Sequence, residues 1–530
     1  MNSMTLLTFL PLLGALALVF VPNSQSELMR KITFGVTALV ALLGLSVWSS
    51  FDGSLANAQM TESATWFTLP GGTQVNYLMG IDGLSLLMVA LTVILMPIVV
   101  VSTVGHIKTR VKEFMIWLLV METGMLGVFL SLDMVLFYFF WEISLVPLYF
   151  MLGIWGGERR LYATIKFFLY TVSGSLVMLI AAIALIYQAG TSDITALTTW
   201  ASAQPLETQG WLFAGFVLAF AIKVPMLPFH TWLPDAHTEA PTSGSVILAG
   251  VLLKMGTYGL LRFGIAMFPA AAVSASPLMM TLGALGIVYG AFLALAQTDI
   301  KRLVACSSVS HLGYVVLGMF ALTQAGLRGS VIQMVSHGLS TGMLFLLIGM
   351  IYERRHTRAL DQYGGIASVL PVFSLFFVFA VLSSVGLPGL NGFVGEFLIL
   401  LGSYQAAPLL TCFAVTGVIF GAVYLLMATR KMLFGPVVHP ENEGLSDLNA
   451  REVSLMMPIV VLCVWIGVQP SAFMDKTSAS IDQLVLRVDD ARVALELAET
   501  EERVSLLGEQ DSAETAADAN TAIGTGPEGK

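Results

Sequence analysis

Residues 220–237 have the sequence FAIKVPMLPFHTWLPDAH, which places a charge and two prolines inside a long apolar run. Lys223 stands within this run, and Pro225 and Pro228 follow it closely. An apolar run of about 20 residues is long enough to cross a bilayer. Prolines at mid-membrane depth free backbone groups that only surrounding protein or water can satisfy. The stretch therefore predicts a transmembrane helix that is broken beside a buried lysine.

A second stretch repeats this combination. Residues 386–400 have the sequence GLPGLNGFVGEFLIL, in which Pro388 and four glycines precede Glu396. Interrupted helices at matching positions of two halves are typical of inverted repeats whose functional site lies at the repeat interface. The two stretches therefore predict a duplicated membrane unit.

The composition places these stretches in a membrane protein. Of the 530 residues, 56% are hydrophobic and 11% are charged, and the mean hydropathy is +0.83. Soluble domains are about a quarter charged, so a soluble enzyme is excluded. Apolar runs predict fourteen spans: 4–22, 32–49, 82–104, 114–131, 133–154, 163–188, 211–233, 243–265, 276–297, 303–322, 329–351, the interrupted 369–403, 409–428 and 453–470. The predicted fold is an all-α polytopic membrane protein with broken spans 7 and 12.

Spans 4–8 and 9–13 form two five-helix units, each broken in its fourth helix. An odd number of spans gives consecutive copies opposite orientations, so inverted repeats are expected. The expected divisions are three N-terminal helices (1–110), the two repeats (111–268 and 269–430), a last helix (431–475) and an acidic hydrophilic tail (476–530). For the tail we expect a short surface helix followed by a disordered end.

The basic residues predict the orientation. Loops after odd-numbered spans, counted together with the adjoining span ends, hold sixteen lysines and arginines, whereas those after even-numbered spans hold only Arg262 and Arg328. Cytoplasmic loops collect such residues, so both termini are expected outside. Residues 471–530 carry 5 of the basic and 13 of the acidic residues, and the remaining chain is nearly neutral. No basic face is left for nucleic acid. The first span has no positive charge ahead of it and is not expected to be a signal peptide.

Cysteine spacing and cofactor motifs argue against redox chemistry in this chain. Cys306, Cys412 and Cys463 lie far apart and form no CxxC pair, zinc spacing or iron–sulfur run. The sequence also contains no dinucleotide fingerprint and no P-loop. We expect the cysteines to be packing residues.

Eight ionisable residues of the predicted spans are candidate site residues. They are Glu122, Glu142, Lys223, His230, Lys254, His311, His337 and Glu396. A central lysine or carboxylate costs about 2.5–3.5 kcal/mol on insertion scales. A lysine that reaches the interface, a glutamate–lysine pair that holds two helices together or a packed histidine would each explain one such residue. Holding helices together would require far fewer than eight ionisable residues. Histidine titrates near neutral pH, and a series of such groups predicts a path for protons.

Several longer motifs resemble the antiporter-like subunits of respiratory complex I, of the subunit M (chain 4) type. The similarity covers about residues 1–475. It is densest in IDGLSLLMVALT from Ile81, FYFFWEISLVPLYFMLGIWG from Phe137, AIKVPMLPFHTWLPDAHTEAPTSGSVILAGVLLK from Ala221, AQTDIKRLVACSSVSHLGYV from Ala296, IQMVSHGLS from Ile332 and GLPGLNGFVGEF from Gly386. The acidic tail departs from the family, whose members commonly end soon after the last span.

The resemblance implies roles for the buried residues. Glu142 is expected to pair with Lys223, and Lys254 to act as the central relay. The family's histidines correspond to His230, His311 and His337, and Glu396 is the terminal residue of the path. Subunits L and N carry a lysine at that terminal position, so Glu396 favours the M type. Glu122 is a possible additional member of the path.

The function implied is a proton-translocating membrane-arm subunit of NADH:quinone oxidoreductase. The chain is then expected in a bacterial inner membrane, with both termini periplasmic and with antiporter-like subunits L and N as neighbours. NADH, FMN, iron–sulfur clusters and quinone are expected on partner subunits. This chain is expected to bind no cofactor or metal and to carry out no redox chemistry itself.

Three other functions are left open at this point. A subunit of a multi-subunit cation/proton antiporter shares the fold and the glutamate–lysine pair, although Glu396 argues against it. A haem-binding electron carrier could use His311 and His337 as axial ligands. A structural scaffold would carry no protons, and substitution of its buried charges would leave activity unchanged.

Overall fold

The structure is a computed structural model that describes residues 3–523. The N-terminal part contains three helices and, between the second and third, an antiparallel hairpin. The elements are α1 (Ser3–Val19), α2 (Ser26–Ser50), β1 (Gln59–Thr68), β2 (Gln74–Ile81) and α3 (Gly83–Ser102). The hairpin was not predicted, because β1 is mostly exposed and shows no apolar alternation. Residues 524–530 of the predicted tail lie outside the described residues.

The first predicted repeat contains eight helices. They are α4 (Val111–Leu130), α5 (Met134–Trp155), α6 (Arg160–Ala189), α7 (Ile194–Ser202), α8 (Leu206–Lys223), α9 (Trp232–Glu239), α10 (Thr242–Ile247) and α11 (Leu253–Gly259). Predicted span 8 is not a uniform α-helix, because π-helical turns flank α11 at Leu248–Leu252 and Leu260–Ile265. Such turns inside helices are frequent at functional sites.

The second predicted repeat and the C-terminal part follow. Their helices are α12 (Pro269–Leu295), α13 (Ile300–Phe320), α14 (Gln324–Arg355), α15 (Ile366–Val369), α16 (Pro371–Val385), α17 (Asn391–Ala406), α18 (Pro408–Leu433), α19 (Ala450–Val468), α20 (Ser471–Met474) and α21 (Ser478–Ile523). Short 3₁₀ turns occur at Leu360–Gln362, Pro440–Asn442 and Asp475–Thr477.

The multi-pass helical fold is confirmed. Among the described residues, eleven helical segments are long and apolar enough to cross a membrane. The other three predicted spans coincide with the shorter α1 and with the two broken helices. The total of fourteen spans, the inverted relation of the two units and the domain divisions stay predictions.

Aspartates at loop–helix junctions start several of these helices. Asp82 Oδ1 accepts the backbone N–H groups of the first turn of α3, at 3.1 Å each. Asp133, Asp193 and Asp299 do the same for α5, α7 and α13. A side-chain oxygen at this position satisfies N–H groups that have no partner within the helix. These four carboxylates therefore have a structural role.

The interior of the bundle is formed by α13, α14 and the segment Thr242–Ile265, whose apolar cores are wholly buried. In α2 and α18, by contrast, most of the apolar core is not buried. Close packing of α12 on α13 depends on glycine. A Cβ on Gly290 would lie 2.6 Å from the backbone nitrogen of Ser310. Small residues allow such close approach of membrane helices. The predicted relay residues Lys254, His311 and His337 lie on these interior helices.

Both predicted breaks are confirmed, and protein groups satisfy the freed backbone at each. In the first, α8 ends at Lys223, and the indole N–H of Trp232 donates to the carbonyl of Ile222 at 2.9 Å. In the second, α16 ends at Val385 and α17 begins at Asn391, and the backbone N–H of Leu387 in the break donates to the carbonyl of Leu382 at 3.0 Å. Non-helical backbone at membrane depth is tolerated only with such partners.

The tail is more ordered than expected. The helix α21 extends from Ser478 to Ile523, so the expectation of a short helix is wrong. Its first turns pack on the body, where Ile481, Leu484 and Val488 are buried. Asp482 also pairs with Arg328, with 3.0 Å between the carboxylate and the guanidinium.

Candidate functional site: a buried chain of ionisable groups

Lys254 and His337 meet in the interior of the bundle. Lys254 lies on α11 between the two π-helical turns and is fully buried. Its ammonium nitrogen lies 2.8 Å from Nδ1 of His337 on α14 and donates to the carbonyl of Ala249. The π-helical geometry brings this carbonyl, five residues earlier in the chain, within reach of the ammonium. The opposite ring nitrogen of His337, Nε2, is buried and has no partner among the described residues.

His311 and Glu396 form the second contact. Nδ1 of His311 on α13 lies 3.0 Å from Oε1 of Glu396 on α17, and both side chains are buried. The amide nitrogen of Gln333 on α14 donates to the same oxygen at 3.2 Å. Glu396 is therefore held by two helices just after the break that precedes it.

The two contacts are adjacent. The rings of His311 and His337 have their centroids 5.5 Å apart, and each ring has a buried Nε2 without a partner among the described residues. The structure therefore brings four predicted site residues together in the order Lys254, His337, His311 and Glu396.

Lys223 and Glu142 are not in direct contact. Among the described residues, no ion pair within 4.0 Å joins them, and the pairing expected from the resemblance stays a prediction. Instead, the Lys223 ammonium lies 5.1 Å from the ring centroid of Trp141. Attraction to a tryptophan face is favourable when the cation is desolvated. Trp141 directly precedes Glu142 on α5, and successive helical side chains point in different directions.

Lys223 nevertheless adjoins the segment that carries Lys254. A Cβ on Gly256 would lie 3.0 Å from Cβ of Lys223. The end of α8 therefore packs against α11 two residues after Lys254. Two of the predicted lysines lie on packed segments without touching each other.

His230 and Glu122 lie apart from this chain of contacts. His230 follows the first break and packs edge-on against Tyr289, with ring centroids 5.2 Å apart. Glu122 on α4 is fully buried, and neither of its carboxylate oxygens has a hydrogen-bond partner among the described residues. Their roles in a proton path stay predictions.

Three polar residues were missed as site candidates. Gln333 lies one helical turn before His337 and on the same face, which was the available signal. His237 on α9 is fully buried, stacks on Phe345 with centroids 4.7 Å apart, and has no partner for either ring nitrogen in the described structure. It was overlooked because span 7 was predicted to end at residue 233.

Lys301 had been assigned to a loop, but it is buried in the first turn of α13. Its ammonium donates to the carbonyl of Ala240 at 2.5 Å, just after the end of α9. A cation at the C-terminal end of a helix interacts favourably with the carbonyls there. The Lys301 ammonium also lies 3.4 Å from the carbonyl of Thr238, the residue after His237. A cavity of about 250 Å³ lined by Lys301, Glu239 and His106 lies at this end of the bundle.

Broken membrane helices, with a buried series of titratable groups between them, define the class of ion-translocating membrane proteins. Residues 131–421 match the family model described as NADH:quinone oxidoreductase/Mrp antiporter, transmembrane. The chain belongs to this family.

Relatives within the family narrow the similarity. NADH-quinone oxidoreductase subunit M of Rhodobacter capsulatus is 43% identical over 499 residues, covering 91% of this chain and 96% of that protein. A chain in the structure of respiratory complex I from Thermus thermophilus with bound NADH has a TM-score of 0.81 at 33% identity, covering 91% of this chain and 99% of that one. The similarity to the Rhodobacter protein is thus to a subunit of the M type, as the motifs predicted.

A chain of the Mrp complex from Dietzia sp. DQ12-45-1b also has a TM-score of 0.81, with 93% of this chain and 98% of that chain covered. Its identity is 18%, so this likeness concerns the fold alone.

Proposed function

We propose that this chain is the proton-translocating M-type subunit in the membrane arm of a bacterial NADH:quinone oxidoreductase. The observation that carries the proposal is the buried series from Lys254 through His337 and His311 to Glu396. Lys254 Nζ lies 2.8 Å from His337 Nδ1, and His311 Nδ1 lies 3.0 Å from Glu396 Oε1. Between these two contacts, the centroids of the histidine rings are 5.5 Å apart. Buried titratable groups are expensive in a membrane, and proton relays are a common reason for their presence.

The contacts give each residue a role. The Lys254 ammonium gives a proton to Nδ1 of His337, and the imidazole releases its other proton from Nε2. His311 takes that proton at Nε2 and passes the one on Nδ1 to the carboxylate of Glu396. The step between the rings needs one water molecule or a small ring rotation. Glu396 then discharges outward.

The position of Lys223 supports a switch at the start of this path. Its ammonium lies over Trp141, next to Glu142, rather than on the carboxylate. Redox energy released in partner subunits would move the lysine between these two neighbours. Because Gly256 packs against Lys223, such a movement would reach the segment that carries Lys254. His230 and Glu122 would act at the margins of the path.

His237, Lys301 and the nearby 250 Å³ cavity are suited to supply protons from the cytoplasm. The distribution of basic loops supports a cytoplasmic position for this end and periplasmic termini. In this proposal, antiporter-like subunits L and N are the neighbours, and partner subunits hold NADH, FMN, the iron–sulfur clusters and quinone. This chain supplies the proton path and no redox centre.

A multi-subunit cation/proton antiporter is the competing function. The likeness to the Mrp complex is one of fold, at 18% identity, whereas the subunit M relative is 43% identical. Affinity purification of the tagged chain distinguishes the two. Flavin and iron–sulfur partners with NADH:quinone activity support the proposal. Small antiporter subunits without redox activity would refute it.

The substitution Lys223→Ala tests the proton path. In proteoliposomes containing the purified complex, we expect fewer protons pumped per NADH oxidised and slower coupled turnover. Lys431→Ala, at an exposed lysine near the end of α18, is the control and should behave as wild type. Unchanged pumping in an assembled Lys223→Ala complex would eliminate the switch and favour a structural role.

A further inference from the structure

Basic side chains cluster at the beginning of α6. The guanidinium carbon of Arg159 lies 5.0 Å from the ring centroid of Tyr162, and the ammonium of Lys166 lies 5.6 Å from the same centroid. Arg160, between them in sequence, is exposed. One half-exposed tyrosine ring thus brings two cationic groups together at this end of the helix.

The four basic side chains at this end of the helix, those of Arg159, Arg160, Lys166 and Arg302, outnumber three carboxylates. These carboxylates belong to Asp235, to Glu158 and to Glu239, which accepts the backbone N–H of Arg159 at 2.9 Å. Lys166 and Arg302 share one carboxylate, Asp235, at 2.8 Å and 3.3 Å. In the described part of the chain, no carboxylate lies within 4.0 Å of the guanidinium nitrogens of Arg159 or Arg160. Both guanidiniums therefore retain donors for an added anion. Arginine donors match phosphate oxygens in a paired geometry.

A continuous apolar stripe begins directly beside the cluster. It consists of exposed side chains on one side of α6: Leu161, Ile165, Leu169, Leu176 and Ile180. From Phe167 to Ala189 the helix contains no charged residue. The exposed Ser173 hydroxyl donates to the carbonyl of Leu169 at 2.7 Å, so it needs no outside partner. This surface suits acyl chains.

We infer that the beginning of α6 binds an anionic phospholipid. The headgroup phosphate lies between Arg159, Arg160 and Lys166, and the acyl chains follow the stripe from Leu161 towards Ile180. Basic pockets at the membrane boundary bind such headgroups. The combination of unneutralised guanidiniums and a stripe without polar partners favours a lipid over a neighbouring polypeptide.

The test uses the complete purified complex in lipid nanodiscs and a phosphatidylglycerol analogue with a photoreactive group in its acyl chain. Mass spectrometry then locates the adducts. We expect labelling within residues 161–180 at low probe concentration, with a phosphatidylcholine analogue labelling weakly. The double variant Arg159→Gln/Arg160→Gln should raise the half-saturating probe concentration about 30-fold, since each basic residue near a membrane surface contributes about 1 kcal/mol.

The matched control is Arg430→Gln/Lys431→Gln, which removes an exposed basic pair at the end of α18 and should leave labelling unchanged. Equal labelling by the phosphatidylcholine analogue, or an unaffected Arg159→Gln/Arg160→Gln variant, would overturn the inference. Cross-linking of this stripe to a neighbouring subunit in place of lipid would overturn it as well. The readout needs no turnover, so its outcome is independent of the proposed proton path.

Discussion

The ammonium nitrogen of Lys254 lies 2.8 Å from Nδ1 of His337, where both residues are fully enclosed by the bundle. Lys254 also donates to the Ala249 carbonyl that the neighbouring π-helical turn brings within reach. Both acceptors are fixed by backbone or by packing. A buried amine and an imidazole in contact can pass a proton with little movement, since both can bind and release one.

His337→Gln is expected to stop proton transfer through this chain while keeping the helices packed. The glutamine oxygen can still accept from Lys254, but an amide does not relay a proton as an imidazole does. Loss of a positioned acid–base group typically slows transfer about 100-fold or more. The measurement is the number of protons pumped per NADH oxidised in proteoliposomes.

The control for this variant is His356→Asn, at the end of α14. His356 has a left-handed backbone with φ of 54°, which asparagine tolerates. Normal pumping is expected in this control. A His337→Gln complex that pumps as well as the control would show that His337 serves packing alone.

Glu396→Gln is expected to block the outward end of the path. The amide preserves the size of the side chain but cannot release a proton. Gln333→Met instead removes only one donor to Glu396, now at 3.2 Å, and leaves His311 in place at 3.0 Å. We expect loss of pumping in the first variant and partial pumping in the second. Equal, complete loss in both would mean that the region is merely structural.

Much of this site could be predicted because a membrane makes charges conspicuous. Lys254 and Glu396 stand in long apolar runs, and Pro225 and Pro388 mark the two discontinuous helices in the sequence itself. The contact of Lys254 with His337 could not be predicted in this way. It depends on how α11 packs against α14 and on the π-helical turns, which leave no periodic signal in the sequence.

The position of the Lys223 ammonium could not be predicted from the motif that contains it. A motif gives the residues but not the rotamer, and the face of Trp141 competes for the ammonium. His237 was missed for a related reason. A break shifts the depth of every residue that follows it, so a span boundary drawn from hydropathy placed this buried histidine outside the membrane.

Glu122→Gln is expected to leave pumping nearly unchanged. Neither carboxylate oxygen of Glu122 has a hydrogen-bond partner among the described residues, so no hydrogen bond joins it to the Lys254–Glu396 series there. Burying an unpaired charge is costly, so the neutral amide should assemble at least as well. Glu142→Gln provides the comparison and should impair pumping. If Glu122→Gln lost pumping with normal assembly, Glu122 would belong to the path.

Asp82 and Arg262 form a buried ion pair, 2.5 Å apart, that ties predicted span 8 to the start of α3. Asp82→Asn retains a good N-cap residue but leaves Arg262 without its counter-charge. Breaking a buried pair by removing one partner typically costs about 3–5 kcal/mol. We expect a lower thermal unfolding temperature of the complex.

The double variant Asp82→Asn/Arg262→Met completes this cycle. Removing the second charge should restore much of the lost stability, because no unpaired charge remains buried. Thermal unfolding of the four complexes, followed at constant detergent and lipid, gives the coupling. Additive losses in the double variant would show that the two residues act independently.

Two truncations separate the first turns of α21, which pack on the body, from the rest of the tail. Deletion of residues 490–530 removes most of the acidic residues of the tail but keeps Ile481, Leu484 and Val488, which are buried on the body. Deletion of residues 476–530 removes these side chains together with the Asp482–Arg328 pair. Each buried leucine or isoleucine contributes about 1.5–3 kcal/mol, so only the longer deletion should lower the yield of assembled complex, as measured by native gel and by NADH:quinone activity. If the shorter deletion already prevented assembly, the acidic part of α21 would have to contact a partner subunit, because most side chains at 490–501 are exposed on this chain.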